Sequence, residues 1–462
     1  MSIVNKNSER QQNNNNNSNR LYRTRIAPSP SGYLHKGHAH TFTMAYLRSQ
    51  KNSGTLILRI EDIDHQRCKD YYLNQMVDDI KWLGIYYNEG YDYQNIPTTS
   101  TSNNNNNNNN DEQLNYLKSL IYNNNNNNHS KENFVSSLIN HISTITSDSD
   151  SLRLEYTNAL LSYKQSDRLI LYKYAWFYLF NKGYIYPSKH SRKDVDTALS
   201  APHNDDYNKT KTSIDNEIIF PKSLRPSYVK DINECNSNQH FPDDIKILKE
   251  PTSTNCNWRY RVPDMKKISF HDKRCGDQTF QTDNDFGDFL VWRLDCYPSY
   301  ELAVVVDDIL MNITEVVRGE DLLLSTARQL LIYSAFGINP PDFYHCPLVR
   351  DPITGKRLSK SEKSLSIKEL RASNVIINVD TISIEMQQNN ENSSTVNSEE
   401  AVKKEEKMER FENVQLEAIT IDDDVDDQSH STTLTNRCIS NTTNVLQKLA
   451  CCPCFCLLFK YY

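Results

Sequence analysis

Arg23-Thr24-Arg25-Ile26-Ala27-Pro28-Ser29-Pro30-Ser31-Gly32 opens a stretch, Arg23 to Gly90, whose reading decides the fold. It runs through His35-Lys36-Gly37-His38 and a helix-like segment, then returns in the apolar run Leu56-Ile57-Leu58-Arg59-Ile60. The order is strand, turn, helix, strand. Pro28, Pro30 and Gly32 stop a helix from starting early, and after Gly37 the apolar Phe42, Ala45 and Tyr46 recur at helical spacing. The turn therefore stands at the N-terminus of a helix, where unpaired N–H groups and a partial positive charge favour a polyphosphate. His35 and His38 add donors, and Gly37, lacking a side chain, lets a phosphate or a flat ring approach the backbone. Four such residues arise by chance in loops; the company they keep gives them meaning.

Farther along, Asn74 to Gly84 carries Met76, Ile80, Trp82 and Leu83 on an amphipathic helix suited to pack on the sheet. Gln165-Ser166-Asp167-Arg168 precedes a second helix with Leu169, Tyr172, Ala175, Trp176, Leu179 and Phe180, and Gly183 follows its end. Trp258–Pro263, Ile268–Asp272 and Asp285–Arg293 predict antiparallel strands of a small inserted domain. Leu302 to Val306 is continuously apolar and reads as a parallel strand covered on both faces. Ile313 to Leu322 reads as another strand, followed by a helix with Ser325 as N-cap and Gly337 as C-cap. Open α/β sheets place ligands at the carboxyl ends of parallel strands. Tyr300, Arg318 and the H-x-G-H turn are thus expected to share one crevice of a Rossmann-like parallel sheet, fold class α/β.

The 462 residues allow two or three domains, but 37% hydrophobic content is low for a wholly packed chain. Asn13–Asn17, Asn103–Asn110 and Asn123–Asn128 explain part of the deficit, since such tracts bury too little apolar surface to offset ordering entropy. Residues 1–20 and the acidic tail 375–462 are expected to be disordered, 21–95 and 298–374 to form the two halves of the main domain, 96–162 an Asn-rich insertion, and 163–297 an inserted subdomain with a polar loop at 204–254. Within 96–162, short helical pieces fit around Leu114–Ile121 and Phe134–Ile145. Eleven cysteines without a C-x-x-C pair in the body, and no apolar N-terminal segment, predict a reducing intracellular compartment. The cytoplasm is the first choice, with an organelle left open. No apolar run reaches the ~18 residues of a membrane span, so no stable membrane insertion is expected. The net charge of −7 argues against a nucleic-acid partner, yet residues 376–430 alone carry −11 and leave the rest at +4.

A second basic loop, Gly355-Lys356-Arg357-Leu358-Ser359-Lys360-Ser361, comes late in the chain. Alone it reads as a solvated surface loop. Together with Thr24 to Gly32, H-x-G-H and Arg59-Ile60-Glu61-Asp62-Ile63-Asp64, it resembles class I glutamyl-tRNA synthetases, whose K-M-S-K-S loop takes a K-L-S-K form in the glutamate branch. The resemblance spans about residues 22–95, 163–203 and 256–374. It implies a class I synthetase catalytic core with an α+β insert gripping the acceptor end of tRNA, although Arg259 and Arg261 of that insert equally suit a solvated strand face. By the same resemblance His35, His38 and Lys360 are catalytic. His35, Gly37, His38, Arg357, Leu358, Ser359 and Lys360 would hold ATP with its nucleotide-borne Mg²⁺. Arg25, Tyr300 and Arg318 would bind the side chain of L-glutamate, Glu61 its amino group, and Ala27 and Ser29 would form the pocket wall. Val304 departs from the Asn of many discriminating glutamyl enzymes. Where the family often carries a zinc-binding cysteine cluster, this chain has Ser188 and His190, so no structural zinc and no protein metal site are expected.

Only 91 residues follow Arg371, most without apolar periodicity, too few for an ordered anticodon-reading domain. The body therefore resembles the truncated branch, glutamyl-queuosine tRNA(Asp) synthetase. The expected function is ATP-dependent activation of glutamate to the adenylate and transfer to tRNA, with queuosine of tRNA(Asp) the favoured acceptor. Conventional charging of tRNA(Glu) is the first alternative and a nonenzymatic tRNA-binding paralogue the second. A monomer is expected. Cys451, Cys452, Cys454 and Cys456 beside apolar residues fit either lipidation or incidental tail sequence, and the second is preferred.

Overall fold

The computed structural model describes residues 21–91, 133–145, 150–190, 193–195, 218–227, 256–349 and 366–373. The basic loop with Arg357, Leu358, Ser359 and Lys360 lies outside them, as do the polyasparagine tracts, Leu114–Ile121 and the tail. The first half is built from β1 (Arg23–Ile26), α1 (Lys36–Lys51), β2 (Thr55–Leu58), α2 (Asp70–Trp82) and β3 (Glu89–Gly90). There follow α3 (Phe134–Thr144), α4 (Asp150–Leu161), α5 (Leu169–Asn181) and β4 (Ile185–Ser188). Next come β5 (Asn257–Tyr260), β6 (Lys267–Asp272), β7 (Gly276–Gln281) and β8 (Phe289–Trp292). The described chain ends with α6 (Tyr300–Leu310), β9 (Glu315–Gly319), α7 (Leu323–Phe336), β10 (Asp342–Cys346) and α8 (Ile367–Ala372).

β1, β2 and β3 pair in parallel in that order, with Arg23 opposite Thr55 and Ile57 opposite Glu89. A second sheet runs β7-β6-β10-β9, in which β9, β10 and β6 are parallel and the β6–β7 hairpin is antiparallel. The two sheets meet where the Thr314 N–H donates to Arg23 O at 2.8 Å. A third, antiparallel sheet orders β4-β5-β8. α2 follows the predicted amphipathic pattern, burying Leu73, Met76, Val77 and Ile80 beneath the first sheet together with Leu56 and Leu58. α5 is buried nearly all round, which fits a helix sheathed by other elements. Its Trp176 stacks on Phe180 at 5.2 Å and meets Trp258 of β5 edge-on at 4.8 Å, fastening the third sheet to the helices.

Four expectations change. Leu302–Val306 is not a strand but the middle of α6. The Ser299 hydroxyl accepts the Leu302 N–H at 3.3 Å and starts a helix, every residue of which after Tyr300 is buried. A helix enclosed on all sides and a strand covered on both faces leave the same unbroken apolar run in a sequence. α7 begins at Leu323, ahead of Ser325, whose hydroxyl instead donates to Glu301 at 2.8 Å; Gly337 does cap its end, at φ 67°. The antiparallel strands exist, yet they belong to two sheets: β5 and β8 join β4, whereas β6 pairs in parallel with β10 and carries β7 onto the edge of the main sheet. The Asn-rich insertion carries the helical piece expected around Phe134–Ile145 as α3, and it also contributes to the core, since α3 buries Phe134, Leu138 and Ile142 and α4 buries Tyr156 and Ala159.

Candidate active site

The chain leaves β1 through α1 to reach β2 on one side and leaves β9 through α7 to reach β10 on the other. Neighbouring strands whose connections diverge leave a crevice outside their carboxyl ends. A cleft of about 230 Å³ opens there. The end of β1 supplies Arg25 and Ala27, the start of α1 supplies His35, Gly37 and His38, the segment after β2 supplies Glu61, α6 supplies Tyr300, and β9 supplies Arg318. Ser29 is not among the lining residues; its hydroxyl meets the Cys68 thiol at 3.7 Å. Gly319, Asp321 and Leu348 also line the cleft, and nothing in the sequence singled them out.

The histidines cap the helix that carries them. His35 has extended backbone angles and its Nδ1 accepts the Gly37 N–H at 3.1 Å, while His38 Nδ1 accepts the His35 N–H at 3.2 Å. The rings lie 3.9 Å apart. An Nδ1 used as an acceptor puts the proton of a neutral imidazole on Nε2. The turn thus uses two of its backbone donors internally, and both imidazoles line the cleft. A Cβ on Gly37 would stand 3.0 Å from His35 Cε1, so the glycine keeps room for the ring as much as for a ligand.

Behind this surface lies a buried ionic scaffold. Asp307 and Asp308 sit inside the apolar α6, and their carboxylates need partners in an environment that cannot hydrate them. Arg59, fully buried, donates to Asp308 at 2.6 Å and to Glu61 at 2.9 Å. Arg25 donates to Asp308 at 3.1 Å and to Val317 O at 3.3 Å, and Arg168, Gln165 and Tyr172 all reach Asp307. Burial works against ionisation of Asp308, but Arg25 and Arg59 outweigh it and hold its carboxyl below the ordinary range. Glu61 goes the other way: burial raises its pKa and Arg59 and Arg25 only partly offset this. Burial also pushes the Tyr300 phenol up to about 12. The sequence signal for this scaffold was present, because an acidic pair at the end of an apolar run requires buried cations.

Arg318, 5% exposed, is held from one side. Its Nε donates to His345 Nε2 at 3.2 Å, and its Nη2 donates to Thr326 Oγ1 at 2.7 Å and to Leu322 O at 3.4 Å. Its buried Nη1 has no partner among the described residues. The cleft thus combines an arginine with unmatched donors, a carboxylate whose charge is incompletely compensated, and a helix start bearing two imidazoles. Such a set suits a ligand with an anionic group near a cationic one, beside a polyphosphate. Elsewhere, His190 lies at 6.1 Å from the Phe220 ring and Cys256 is buried in the core; Cys235 is outside the described residues. Among the described residues no three His, Cys, Asp or Glu side chains are grouped to hold a metal ion, and no helix is long and apolar enough to cross a membrane.

Comparison with known proteins agrees with this geometry. Residues 22–124 and 119–421 match the family described as tRNA synthetases class I (E and Q), catalytic domain. The chain is 30% identical over 355 residues to a glutamyl-Q tRNA(Asp) synthetase of Nitratidesulfovibrio vulgaris, a match covering 77% of this chain and 82% of that protein. It is likewise 30% identical over 348 residues to the glutamyl-Q tRNA(Asp) synthetase of Symbiobacterium thermophilum, covering 75% and 80%. A glutamate–tRNA ligase of a Hydrogenobaculum species is 29% identical over 348 residues, but the match spans 54% of that longer protein. With its cleft at the switch point of a parallel sheet and its sequence matched along most of its length, the chain belongs to the class I tRNA synthetases of the glutamate and glutamine branch.

Proposed function

We propose that the chain activates L-glutamate with ATP and transfers the glutamyl group to tRNA, with queuosine of tRNA(Asp) as the acceptor. The observation that carries this reading is that Arg25, Glu61, Tyr300 and Arg318 line one cleft with His35 and His38. The preference for queuosine rests on the relatives. The match spans about four fifths of the glutamyl-Q tRNA(Asp) synthetases but about half of the glutamate–tRNA ligase.

In the first step a carboxylate oxygen of glutamate attacks the α-phosphorus of ATP in line. The bond to the bridging oxygen breaks, and pyrophosphate leaves with the electron pair. The barrier lies in bringing two anions together and in stabilising charge on the phosphoryl oxygens, so positioned donors and cations do the work. The ring N–H groups of His35 and His38 would face the phosphates, and Lys360, outside the described residues, would approach them from the late loop with Arg357, Leu358 and Ser359. Arg318 and Arg25 would hold the side-chain carboxylate beside the Tyr300 hydroxyl. Glu61 would take the ammonium, which supplies the charge that Arg59 and Arg25 leave uncompensated. Mg²⁺ would arrive on the nucleotide, because the nitrogen donors of the cleft suit the phosphates themselves. In the second step an acceptor hydroxyl attacks the glutamyl carbonyl and AMP leaves. We expect a monomer, and the cytoplasm as its place of action.

Two measurements test the reading. Pyrophosphate exchange that depends on glutamate and needs no tRNA is expected. Glutamylation of tRNA(Asp) bearing queuosine, with the label on the modified base, is expected alongside it. Exchange that requires tRNA(Glu), with the label on the terminal ribose, would instead establish the conventional ligase activity named by the Hydrogenobaculum relative. Absence of any glutamate-dependent exchange would refute both.

A further inference from the structure

The cleft is backed by a polar chain that the proposed chemistry does not use. Asp272, the last residue of β6, is fully buried, and its carboxylate is saturated: Oδ1 accepts the N–H groups of Arg274 and Cys275 at 3.0 and 2.7 Å, and Oδ2 accepts the His345 N–H at 3.1 Å. Oδ2 also lies 2.7 Å from His345 Nδ1. The other nitrogen of that ring, Nε2, is 3.2 Å from Arg318 Nε and 3.1 Å from Thr326 Oγ1. An arginine Nε–H can only donate, so Nε2 must accept and the proton of the ring must sit on Nδ1, facing Asp272. Charged, the ring would set one N–H against another.

We propose that Asp272 and His345 are positioning residues that lock the guanidinium of Arg318 in the plane and rotation from which it selects an acidic side chain. A guanidinium has five N–H donors. The Nε donor is taken by His345 and Nη2 by Thr326 and Leu322 O, leaving Nη1, buried and unpartnered among the described residues, in a side chain that lines the cleft. A free arginine side chain would lose rotamer freedom on meeting a carboxylate; this one has been ordered in advance. Three elements, β6, α7 and β10, contribute to that one orientation, the first of them about 50 residues upstream of the other two. The anchor at its far end belongs to the hairpin fused onto the sheet edge, so the fit of that hairpin reaches the amino-acid pocket through a single imidazole.

This inference rests on glutamate being the amino acid activated, and the test separates the two ideas. Glutamate-dependent pyrophosphate exchange is measured on the full chain with His345→Gln and His345→Asn, titrating glutamate and ATP separately. The glutamine of His345→Gln can set an acceptor where Nε2 stands; the shorter asparagine can still donate to Asp272 but withdraws from Arg318. His345→Asn should raise the KM for glutamate about tenfold or more, with the KM for ATP and kcat little changed, and His345→Gln should stay within a few-fold of the parent. Thr326→Val, which removes the acceptor on Nη2 with little change of volume, should raise the glutamate KM in the same way and serves if His345→Asn does not fold. Equal shifts in both substrates, or no shift in the glutamate KM of a folded variant, would overturn the proposal. A parent chain without glutamate-dependent exchange would overturn the function itself.

Discussion

Gly37 shows how much one missing side chain decides. A methyl group there would stand 3.0 Å from Cε1 and 3.1 Å from Nδ1 of His35, the ring that caps α1 by accepting the Gly37 N–H. Gly37→Ala should therefore turn His35 out of the cleft. Pyrophosphate exchange should fall about 10²-fold, the scale of a misplacement near 1 Å, while the unfolding midpoint moves little; unaltered exchange would mean that His35 is not needed where it stands. Arg59 is a residue of the opposite kind, wholly inside and ionic. Arg59→Met should cost about 3–5 kcal/mol in urea unfolding, because Asp308 and Glu61 lose a buried partner. At this scale the candidate site was legible wherever a residue type is tied to a ligand chemistry, as in the imidazoles of the H-x-G-H turn and the arginines of the strand ends. His345 and Asp272 were not, since a histidine within Phe343-Tyr344-His345-Cys346 carries no sign of what lies beside it in space.

At the scale of elements, α6 is the instructive case. Periodicity separates helix from strand only when one face meets water, and α6 is buried at every residue from Glu301 to Leu310. The local signal that outranks the apolar run is Ser299, whose hydroxyl fixes the first turn, followed by Glu301 near the positive end of the helix dipole. α1, α2, α5 and α7 were legible because each carries a half-exposed face or a terminal glycine or cap that marks its limits. β6 was legible as a strand, β7 was not, and the place of either in the main sheet was hidden, because sheet membership is set by a partner about 70 residues away. Ser299→Ala should cost about 1 kcal/mol of stability. As Tyr300 is the next residue and lines the cleft, the same variant should also raise the KM for glutamate. A stability loss with an unchanged KM would separate Tyr300 from the amino-acid pocket.

For the described chain as a whole, the junction of the first sheet with the second is closed by one carboxylate. Glu315 begins β9, is 1% exposed, and accepts Arg48 of α1 at 2.5 and 2.9 Å and the Tyr22 hydroxyl at 2.6 Å; Lys273, just past β6, completes the set. The segment before β1, the first helix, the inserted hairpin and the late strand thus meet at a single charge. Burial opposes ionisation there, but Arg48, Lys273 and Tyr22 together overcome it and hold the Glu315 pKa below its ordinary 4.5. A carboxylate depressed in the folded state binds its proton more readily once unfolded, so the stability it contributes is complete above about 4.5 and drains away as pH falls from there through the lower, folded value. Glu315→Gln should therefore be about 3 kcal/mol less stable than the parent near neutrality, and the two urea-unfolding curves should converge as the solution is taken below pH 4. Were the difference between them constant down to that acidity, the junction would be held by packing of Ile57, Val316 and Phe343 across the strands, and the ionised carboxylate would be incidental to it.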